Sequence, residues 1–342
     1  MNLTDRIKAF SDLGDILRRC IAGEPVKHLT QINHLIENQH LNNPWFTPEN
    51  VRMAIMTIAE KLTFENLTKW VSAYQDLKSD SKPFNVGIIM AGNIPLAGFH
   101  DFLSVLISGS RVIAKTSSKD PDMIVTLAAI LCSVNPEFKK LICITDKTLS
   151  GFDAVIATGS DNSSRYFVYY FGKYPNIIRK NRNSIAIIDG SETDKELQDL
   201  GTDVFTYFGL GCRSVSKLYV PEGYDLSKIT GNWDRYSGMI NHNKYANNYD
   251  FNKAIFLINK EKFTDTGYLL LKEDNALSSP VAVLHYKFYR SPGEVNEEIG
   301  IIKEKIQCIT GHNFIPFGRA QMPALWDYAD GIDTLEFLFK KK

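Results

Sequence analysis

The sequence predicts an α/β protein in which a helical N-terminal region precedes a parallel sheet domain and a second α/β lobe. Three observations support this fold class. Apolar residues recur at helical spacing through residues 1–78. From residue 84 onward, short apolar strands alternate with helices of about 10–15 residues, which is typical of a parallel sheet covered on both faces. The length of 342 residues suits about two domains at ~150 residues each.

The N-terminal region is predicted to be helical because its apolar residues share one face. In the first helix these residues are Leu3, Ile7, Phe10, Leu13, Ile16, Leu17 and Cys20. The same spacing recurs between Val51 and Tyr74. Two turns separate these helices, at residues 42–44 and 47–49. A polar linker, Lys78–Pro83, closes the region.

The next region alternates strands with helices. The predicted strands are Phe84–Met90, Arg111–Ala114, Leu141–Thr145, Asp153–Ala157 and Ser184–Ile188. The predicted helices are Leu96–Ile107, Pro121–Val134 and Ser163–Phe171. In such a sheet a nucleotide is expected at the carboxyl ends of the strands.

The second lobe begins after a helix predicted over Thr193–Phe208, capped by Ser191 or Thr193. The further strand candidates are Val215–Val220, Ala254–Ile258 and Val281–Tyr289, and no element is predicted over Phe314–Leu338. The predicted domains are a helical region (1–83), a nucleotide-binding domain (84–200), a catalytic lobe (201–315) and a C-terminal segment (316–342).

Composition argues against several classes of function. The net charge is zero, so nucleic acid is not expected as the main partner, because phosphate binding needs a clustered excess of Lys and Arg. The cysteines are odd in number and scattered, without a CxxC pair: Cys20, Cys132, Cys143, Cys212 and Cys308. A disulfide framework and a metal site are therefore not expected, and a reducing cytoplasm is.

No membrane segment is predicted. The N-terminus lacks the basic and apolar runs of a signal peptide. The most apolar long window, Phe84–Phe99, is interrupted by Asn93, Pro95 and Gly98 and is shorter than the ~20 residues that span a bilayer.

Residues Gly209–Ser214 place Cys212 on a glycine-flanked turn between a helix and a strand. Such a turn can present a thiol to a cleft and point backbone N–H groups at a developing negative charge. The alternative is a cysteine that only packs, since free cysteine is often buried and inert. Reactivity needs a lowered pKa, which sequence alone does not show.

Three further windows follow predicted strands. Asn93 is either an oxyanion donor or a turn residue ahead of Pro95. Lys115, followed by hydroxyl residues as far as Ser118, can hold a ribose or phosphate, or form a solvated loop. Gly159 and Ser160 precede a helix and either bind an anion or only cap that helix.

The familiar motifs GxGxxG, GxxxxGK[ST] and HExxH are absent from the sequence. Candidate bases are few. His100 lies near Asn93 in the sequence and His312 lies late in the chain, and a lone histidine is more often structural than catalytic.

Taken in order, Asn93, Lys115, Thr158-Gly159-Ser160 and Cys212 resemble the aldehyde dehydrogenase superfamily. The LuxC-type acyl-CoA reductases are the most similar branch, on the strength of residues 92–95, residues 211–214 and the tail Trp326–Gly331. The resemblance implies an aldehyde-dehydrogenase-like fold with a Rossmann-type domain and a catalytic lobe. It implies that Cys212 and Asn93 are catalytic and that Lys115, Ser118, Gly159 and Ser160 bind a nicotinamide cofactor.

Two departures from the superfamily pattern bear on the reaction. Arg179 stands where hydrolytic members carry a glutamate, so no base is expected there to activate water against an acyl-enzyme. Ser118 stands where an acidic residue often binds the ribose of NAD, so NADPH is expected, with NADH as the alternative.

The resemblance therefore implies reduction of a coenzyme A thioester to an aldehyde through an acyl group on Cys212. It also implies a cytoplasmic homo-oligomer that works with an acyl-supplying protein partner. Two alternatives stay open. One is oxidation of an aldehyde or reduction of an acyl phosphate on the same scaffold. The other is an inactive nucleotide-binding or scaffold protein, since fold does not imply function.

Overall fold

The computed structural model describes residues 1–74 and 84–340, which form two compact units. Unit 1 comprises Met1–Asn181 and Ala324–Lys342, and unit 2 comprises Arg182–Pro323. Most of unit 1 is the N-terminal half of the chain, to which the C-terminal segment returns. The predicted linker Lys78–Pro83 lies outside the described residues, and the predicted four-part division stays a prediction.

Unit 1 begins with four helices, as the helical spacing predicts. They are α1 (Leu3–Ile21), α2 (Leu29–Asn42), α3 (Pro48–Lys61) and α4 (Phe64–Ser72). Side chains cap three of them locally: Asn2 forms a capping box on α1, and Thr47 and Thr63 each accept a backbone N–H of the first turn. Gly14 lets α1 approach the chain between α3 and α4, because a Cβ at this position would lie 2.2 Å from the Leu62 carbonyl oxygen.

A five-stranded parallel sheet follows, with the strand order β3-β2-β1-β4-β5. The strands are β1 (Asn85–Ile89), β2 (Arg111–Lys115), β3 (Ile142–Thr145), β4 (Ala154–Thr158) and β5 (Asn176–Arg179). The helices between them are α5 (Phe99–Ile107), α6 (Met123–Val134) and α7 (Asp161–Phe171). The chain runs outward from β1 to β3 and then returns to β4 on the other side of β1. This order places a topological switch point between β1 and β4.

The C-terminal segment, for which the sequence predicted no element, packs into unit 1. The Tyr328 hydroxyl accepts the indole N–H of Trp70 at 2.7 Å and lies 2.7 Å from the Tyr74 hydroxyl. A last helix, α12 (Thr334–Phe339), buries Leu335 and Leu338. Aromatic side chains thus tie the end of the chain to α4.

Unit 2 holds a six-stranded sheet with the order β11-β6-β7-β10-β9-β8. Its strands are β6 (Asn183–Ile187), β7 (Val215–Pro221), β8 (Thr264–Asp265), β9 (Leu270–Glu273), β10 (Val283–Tyr289) and β11 (Ile306–Thr310). Its helices are α8 (Asp194–Phe205), α9 (Ser227–Thr230), α10 (Asn243–Ile258) and α11 (Pro292–Ile302). All strand pairs are parallel except β8 with β9. The predicted α/β fold class is confirmed.

Two element predictions in unit 2 are wrong. Ala254–Ile258, predicted as a strand, is the end of helix α10, because a short apolar run does not by itself distinguish a strand from a helix. The helix predicted to reach Phe208 ends at Phe205, because Tyr207 and Phe208 adopt left-handed backbone with φ of 56° at both. The predicted Thr193 cap is confirmed, as a capping box with Glu196.

No helix in the described ranges 1–74 and 84–340 is both long and apolar enough to cross a membrane.

Candidate active site

The three strand-end windows of unit 1 share the carboxyl edge of its sheet. In the parallel register Ile89 pairs with Lys115 on one side and with Ala157 on the other. The loops that carry Asn93, Ser118 and Ser160 therefore leave the sheet at the same edge. Asn93 follows β1 and Ser160 follows β4, so these two flank the switch point.

Asn93 lies exposed on a turn that tertiary contacts define. Gly92 before it is obligatory, because a Cβ there would lie 2.4 Å from the Ser117 hydroxyl oxygen. Leu96 after it has left-handed backbone (φ 58°), and its N–H donates to a carboxylate oxygen of Asp120 at 3.0 Å. Burial raises the pKa of Asp120 to about 6. Asn93 is thus an exposed turn residue in the loop that leaves the carboxyl edge of the sheet.

Lys115 is the last residue of β2, and Ser118 lies in the loop that follows. The Lys115 ammonium donates to the carbonyl oxygens of Asp146 at 2.5 Å and Lys147 at 3.3 Å. Ser118 is exposed two residues before the buried Asp120. The lysine therefore bridges the loops after β2 and β3, and the serine remains accessible.

Gly159 and Ser160 form the entry to α7. The Ser160 hydroxyl accepts the N–H of Ser163 at 3.3 Å, which is an N-cap bond. A Cβ at Gly159 would lie 2.8 Å from the Phe167 ring, so glycine allows the helix to pack against the end of β4. The structure thus contains the predicted helix cap. It is compatible with anion binding, because the other N–H groups of a first helical turn lack partners within the helix.

Cys212 lies in unit 2, three residues before β7 and therefore at the amino edge of that sheet. Its side chain is half-buried. The chain reaches it through Tyr207, Phe208 and Gly209, which are all left-handed. A left-handed non-glycine residue costs about 1–2 kcal/mol, so this approach needs tertiary contacts to hold it.

Three such contacts act on the Cys212 turn. The Ser184 hydroxyl donates to the Cys212 carbonyl oxygen at 2.9 Å. The Arg213 Nε donates to the Ala320 carbonyl oxygen at 2.6 Å, and the Gln321 amide donates to the Ser214 hydroxyl at 3.1 Å. Sequence reasoning missed these three partners, because they lie 28 to 107 residues away along the chain.

The other cysteines have different surroundings. Burial raises the pKa of the Cys20 and Cys132 thiols, which favours their neutral form. Cys308 is buried with its sulfur 3.1 Å from the Ser184 hydroxyl, and Cys143 is exposed on β3. Among the five, Cys212 alone combines partial exposure with a glycine-flanked turn.

Arg179 ends β5 and is almost fully buried. Its guanidinium pairs with Asp101 at 2.6 Å, and it also donates to the Thr334 hydroxyl at 3.0 Å and the Ala329 carbonyl at 2.7 Å. It thereby joins β5, α5 and the C-terminal segment. Position 179 therefore holds a buried cation that is paired with Asp101.

The two histidines singled out in the sequence each have hydrogen-bond partners of their own. The His100 ring packs between Trp70 and Tyr328 and lies 2.9 Å from the Leu325 carbonyl oxygen. Burial lowers the pKa of His100 to about 4, so it is neutral at pH 7. It therefore has a structural environment in unit 1.

His312 follows β11 at the carboxyl edge of the unit 2 sheet, opposite the Cys212 edge. Its nitrogens lie 2.8 Å from Asp189 and 3.1 Å from Glu196, and these carboxylates raise the pKa of His312. With Glu192, the side chains of Asp189 and His312 place three ligand-type atoms within 4.8 Å of one another. Hydrogen bonds to the two carboxylates already engage both His312 nitrogens.

The family model for acyl-CoA reductase (LuxC) matches residues 58–229, which include Asn93, Lys115, Gly159 and Cys212. This match spans half of the chain. The chain belongs to the LuxC-type acyl-CoA reductase family.

Comparison with individual proteins agrees with this membership. A long-chain acyl-protein thioester reductase of Aliivibrio fischeri is 26% identical over 214 residues, which cover 57% of this chain and 44% of that protein. The matched part of the chain thus spans less than half of the length of this curated relative.

Solved structures of aldehyde dehydrogenases share the fold of this LuxC-family chain. Aldehyde dehydrogenase 21 from Physcomitrella patens, solved with succinate, superposes with a TM-score of 0.68 at 14% identity, covering 100% of this chain and 84% of that one. The NAD⁺ complex of a Bacillus cereus aldehyde dehydrogenase gives a TM-score of 0.62 at 12% identity, covering 91% and 72%. The predicted aldehyde-dehydrogenase-like fold is confirmed.

Proposed function

We propose that this LuxC-family chain reduces an acyl thioester, with coenzyme A as the carrier, to an aldehyde through an acyl group held on Cys212. The Cys212 turn carries the proposal. Cys212 is half-buried and follows Gly209 and Gly211, and Ser184, Ala320 and Gln321 hold its turn through hydrogen bonds. The name of the Aliivibrio fischeri relative supports a thioester as the substrate class.

The residues of unit 1 fit a nicotinamide dinucleotide. The sheet has its switch point between β1 and β4, where doubly wound sheets bind dinucleotides. Gly159 and Ser160 present the first turn of α7 at that edge, and Ser118 provides a hydroxyl without negative charge. These residues would hold the cofactor, which would supply the hydride for the reduction. We propose NADPH, with NADH as the alternative, because a serine does not repel a ribose phosphate.

Cys212 acts as the nucleophile in this scheme. Its thiolate attacks the thioester carbonyl carbon, a new C–S bond forms, and the coenzyme A thiolate leaves with the electrons of the broken bond. We assign the Asn93 amide and the Cys212 backbone N–H as donors to the carbonyl oxygen when it becomes negative. Hydride addition to the acyl carbon leaves the negative charge on its oxygen. When the C=O bond re-forms, the C–S bond breaks, its electrons leave with the Cys212 thiolate, and the aldehyde departs.

Arg179 supports reduction over hydrolysis. Hydrolysis of an acyl-enzyme needs a base that takes a proton from water, and a guanidinium cannot serve as one. Arg179 is moreover held by Asp101 and Thr334, so its side chain has a structural role. An acyl group on Cys212 is therefore expected to await reduction.

The test follows cofactor oxidation with a panel of acyl-CoAs, acyl phosphates and aldehydes. We expect NADPH oxidation with a thioester and a drop of at least about 1,000-fold in Cys212→Ala, as is typical of losing a covalent nucleophile. Cys132→Ala is the matched control, since that thiol is also partly buried, and should keep full activity.

Mass spectrometry of the acyl-enzyme completes the test. Labelling of Cys212 by a thioester, without turnover, would show that acyl transfer occurs and that the reduction step needs another cofactor. Absence of both turnover and Cys212 labelling with every donor would refute the proposal. Alkylation of Cys212 no faster than that of Cys132 or Cys308 would favour an inactive scaffold.

A further inference from the structure

A single buried carboxylate lies behind the contacts that hold the Cys212 turn. Asp203, on α8, is fully buried. One of its oxygens accepts the N–H of Gly318 at 2.7 Å and the other accepts the N–H of Ala320 at 2.9 Å. The carboxylate thus fixes the backbone of residues 318–321, which we call the brace.

The brace in turn holds the two residues that follow Cys212. The Ala320 carbonyl receives the Arg213 Nε, and the Gln321 amide donates to the Ser214 hydroxyl. Arg213, Ser214 and Gln321 are 8%, 3% and 7% exposed, so water does not readily replace these bonds. A continuous series of buried hydrogen bonds therefore runs from Asp203 to the Cys212 turn.

The brace is also fitted closely against α8. Gly318 has left-handed backbone (φ 80°), and a Cβ there would lie 3.0 Å from the Asp199 Cβ. The brace therefore has little freedom to settle elsewhere while Asp203 holds it. If the carboxylate were lost, two buried N–H groups would lose their acceptor and the brace would be released.

We propose that Asp203 is a positioning residue that sets the attack geometry of Cys212 through residues 318–321, an inference that rests on the proposed function. Attack on a carbonyl requires the sulfur at a defined place and angle, and a misplacement of about 1 Å can cost ~100-fold in rate. Ser184 holds the Cys212 carbonyl from β6, and the brace holds the next two side chains. Together these contacts preorganise the thiol.

The ionisation of Asp203 gives this arrangement a pH dependence. Burial raises the pKa of Asp203 to about 7, the neighbouring Asp199 adds to the rise, and the brace N–H groups and Arg213 oppose it. A protonated carboxyl offers one good acceptor oxygen where the ionised form offers two. The two hydrogen bonds to the brace are therefore weaker below about pH 7, although burial makes the neutral carboxyl the more stable form of Asp203 itself.

The experiment compares the reactivity of Cys212 in Asp203→Asn with its reactivity in the wild-type chain. Pre-steady-state acylation by octanoyl-CoA and palmitoyl-CoA is followed by mass spectrometry, beside alkylation by iodoacetamide, which needs little orientation. We expect Asp203→Asn to lower the acylation rate ~10- to 100-fold and the alkylation rate less than about threefold. Hydrogen exchange of residues 211–216 should accelerate.

Two further variants control for folding. Tyr289→Phe removes a buried hydrogen bond to the Ile188 carbonyl at the other edge of the same sheet, and should leave acylation unchanged. Gln321→Met keeps most of the side-chain volume but removes the donor to Ser214. If Asp203→Asn does not fold, Gln321→Met still tests the brace. We expect this variant to lower the acylation rate ~3- to 10-fold.

The outcomes separate this inference from the proposed function. Acylation at the wild-type rate in both brace variants overturns the positioning role, while acylation of the wild-type chain still supports the function. If no thioester acylates the wild-type chain, the proposed function fails. Hydrogen exchange then decides the structural claim: unchanged exchange at residues 212–214 in both variants overturns it.

Discussion

The two sheets present their candidate residues at opposite edges. In unit 1, Asn93 and Ser160 follow strands and Lys115 ends one, so all three lie at the carboxyl edge. In unit 2, Cys212 precedes β7 and lies at the amino edge. The carboxyl edge is where parallel sheets usually bind ligands, so that site follows from the order of the elements. The amino-edge turn has no such rule, and tertiary contacts from β6 and the brace hold it.

A buried aspartate stands behind each turn, but at different sequence distances. Asp120 accepts the N–H of Leu96 from 24 residues away, within one strand–helix–strand unit. Asp203 reaches the brace across 115 residues. The Asn93 turn is therefore held from its own βαβ unit and by the Asn43 amide, which donates to the Gly92 carbonyl oxygen at 3.3 Å. The Cys212 turn is complete only when the end of unit 2 has folded back onto α8.

The largest effect expected at the carboxyl edge comes from Asn93→Ala. Losing one oxyanion donor typically costs about 3 kcal/mol of barrier, so the acylation rate of Cys212 should fall ~100-fold or more. Asn38→Ala, at a partly exposed asparagine on α2, is the control and should leave the rate unchanged. Normal turnover of Asn93→Ala would show that Asn93 is only a turn residue. The comparison would then fail, because the carboxyl edge of unit 1 would contribute no oxyanion donor.

A second test uses the pH dependence of stability, which both aspartates should share. Their folded pKa values, about 6 for Asp120 and about 7 for Asp203, lie above the ordinary value of 3.8. The folded chain therefore binds these protons more tightly than the unfolded chain. Their contribution to stability is fully present below about pH 4 and is lost as the pH rises through about 6 and 7.

Thermal melts from pH 4.5 to 8 measure this effect. Asp120→Asn and Asp203→Asn should each flatten the decline of Tm with rising pH relative to the wild-type chain, by a few degrees across the window. Equal slopes in all three proteins would contradict the assignment of raised pKa values. A change in only one variant would sharpen the comparison by showing which turn depends on its aspartate.

The smallest effect is expected from His312→Gln, at the carboxyl edge of the unit 2 sheet. His312 is partly exposed, so its pairs with Asp189 and Glu196 should contribute at most ~1 kcal/mol of stability. Because its folded pKa is raised, that contribution is present below about pH 6.5 and is lost at higher pH. Acylation of Cys212 should not change, and a loss of acylation would show that the two edges of this sheet are coupled.

The sequence allowed much of the fold to be predicted where the chain carries local signals. Apolar strands between polar turns marked β1 to β4, β6 and β7, and a Thr193 cap marked the start of α8. β10 was also predicted, within Val281–Tyr289, whereas β5, β8, β9 and β11 were not predicted. Ala254–Ile258 was assigned to the wrong class because a short apolar run fits both elements.

The candidate residues themselves were also visible in the sequence, because glycines, an asparagine before proline and a helix cap are local chemistry. The contacts that hold these residues in place were not visible in the sequence. The left-handed approach to Cys212 opposes local preference, and its partners Ser184, Ala320 and Gln321 come from distant segments. Sequence determined which residues stand at the strand ends, because propensity and turn chemistry act over a few residues. Tertiary structure alone decided how the thiol is held, because buried hydrogen bonds form only when distant segments meet.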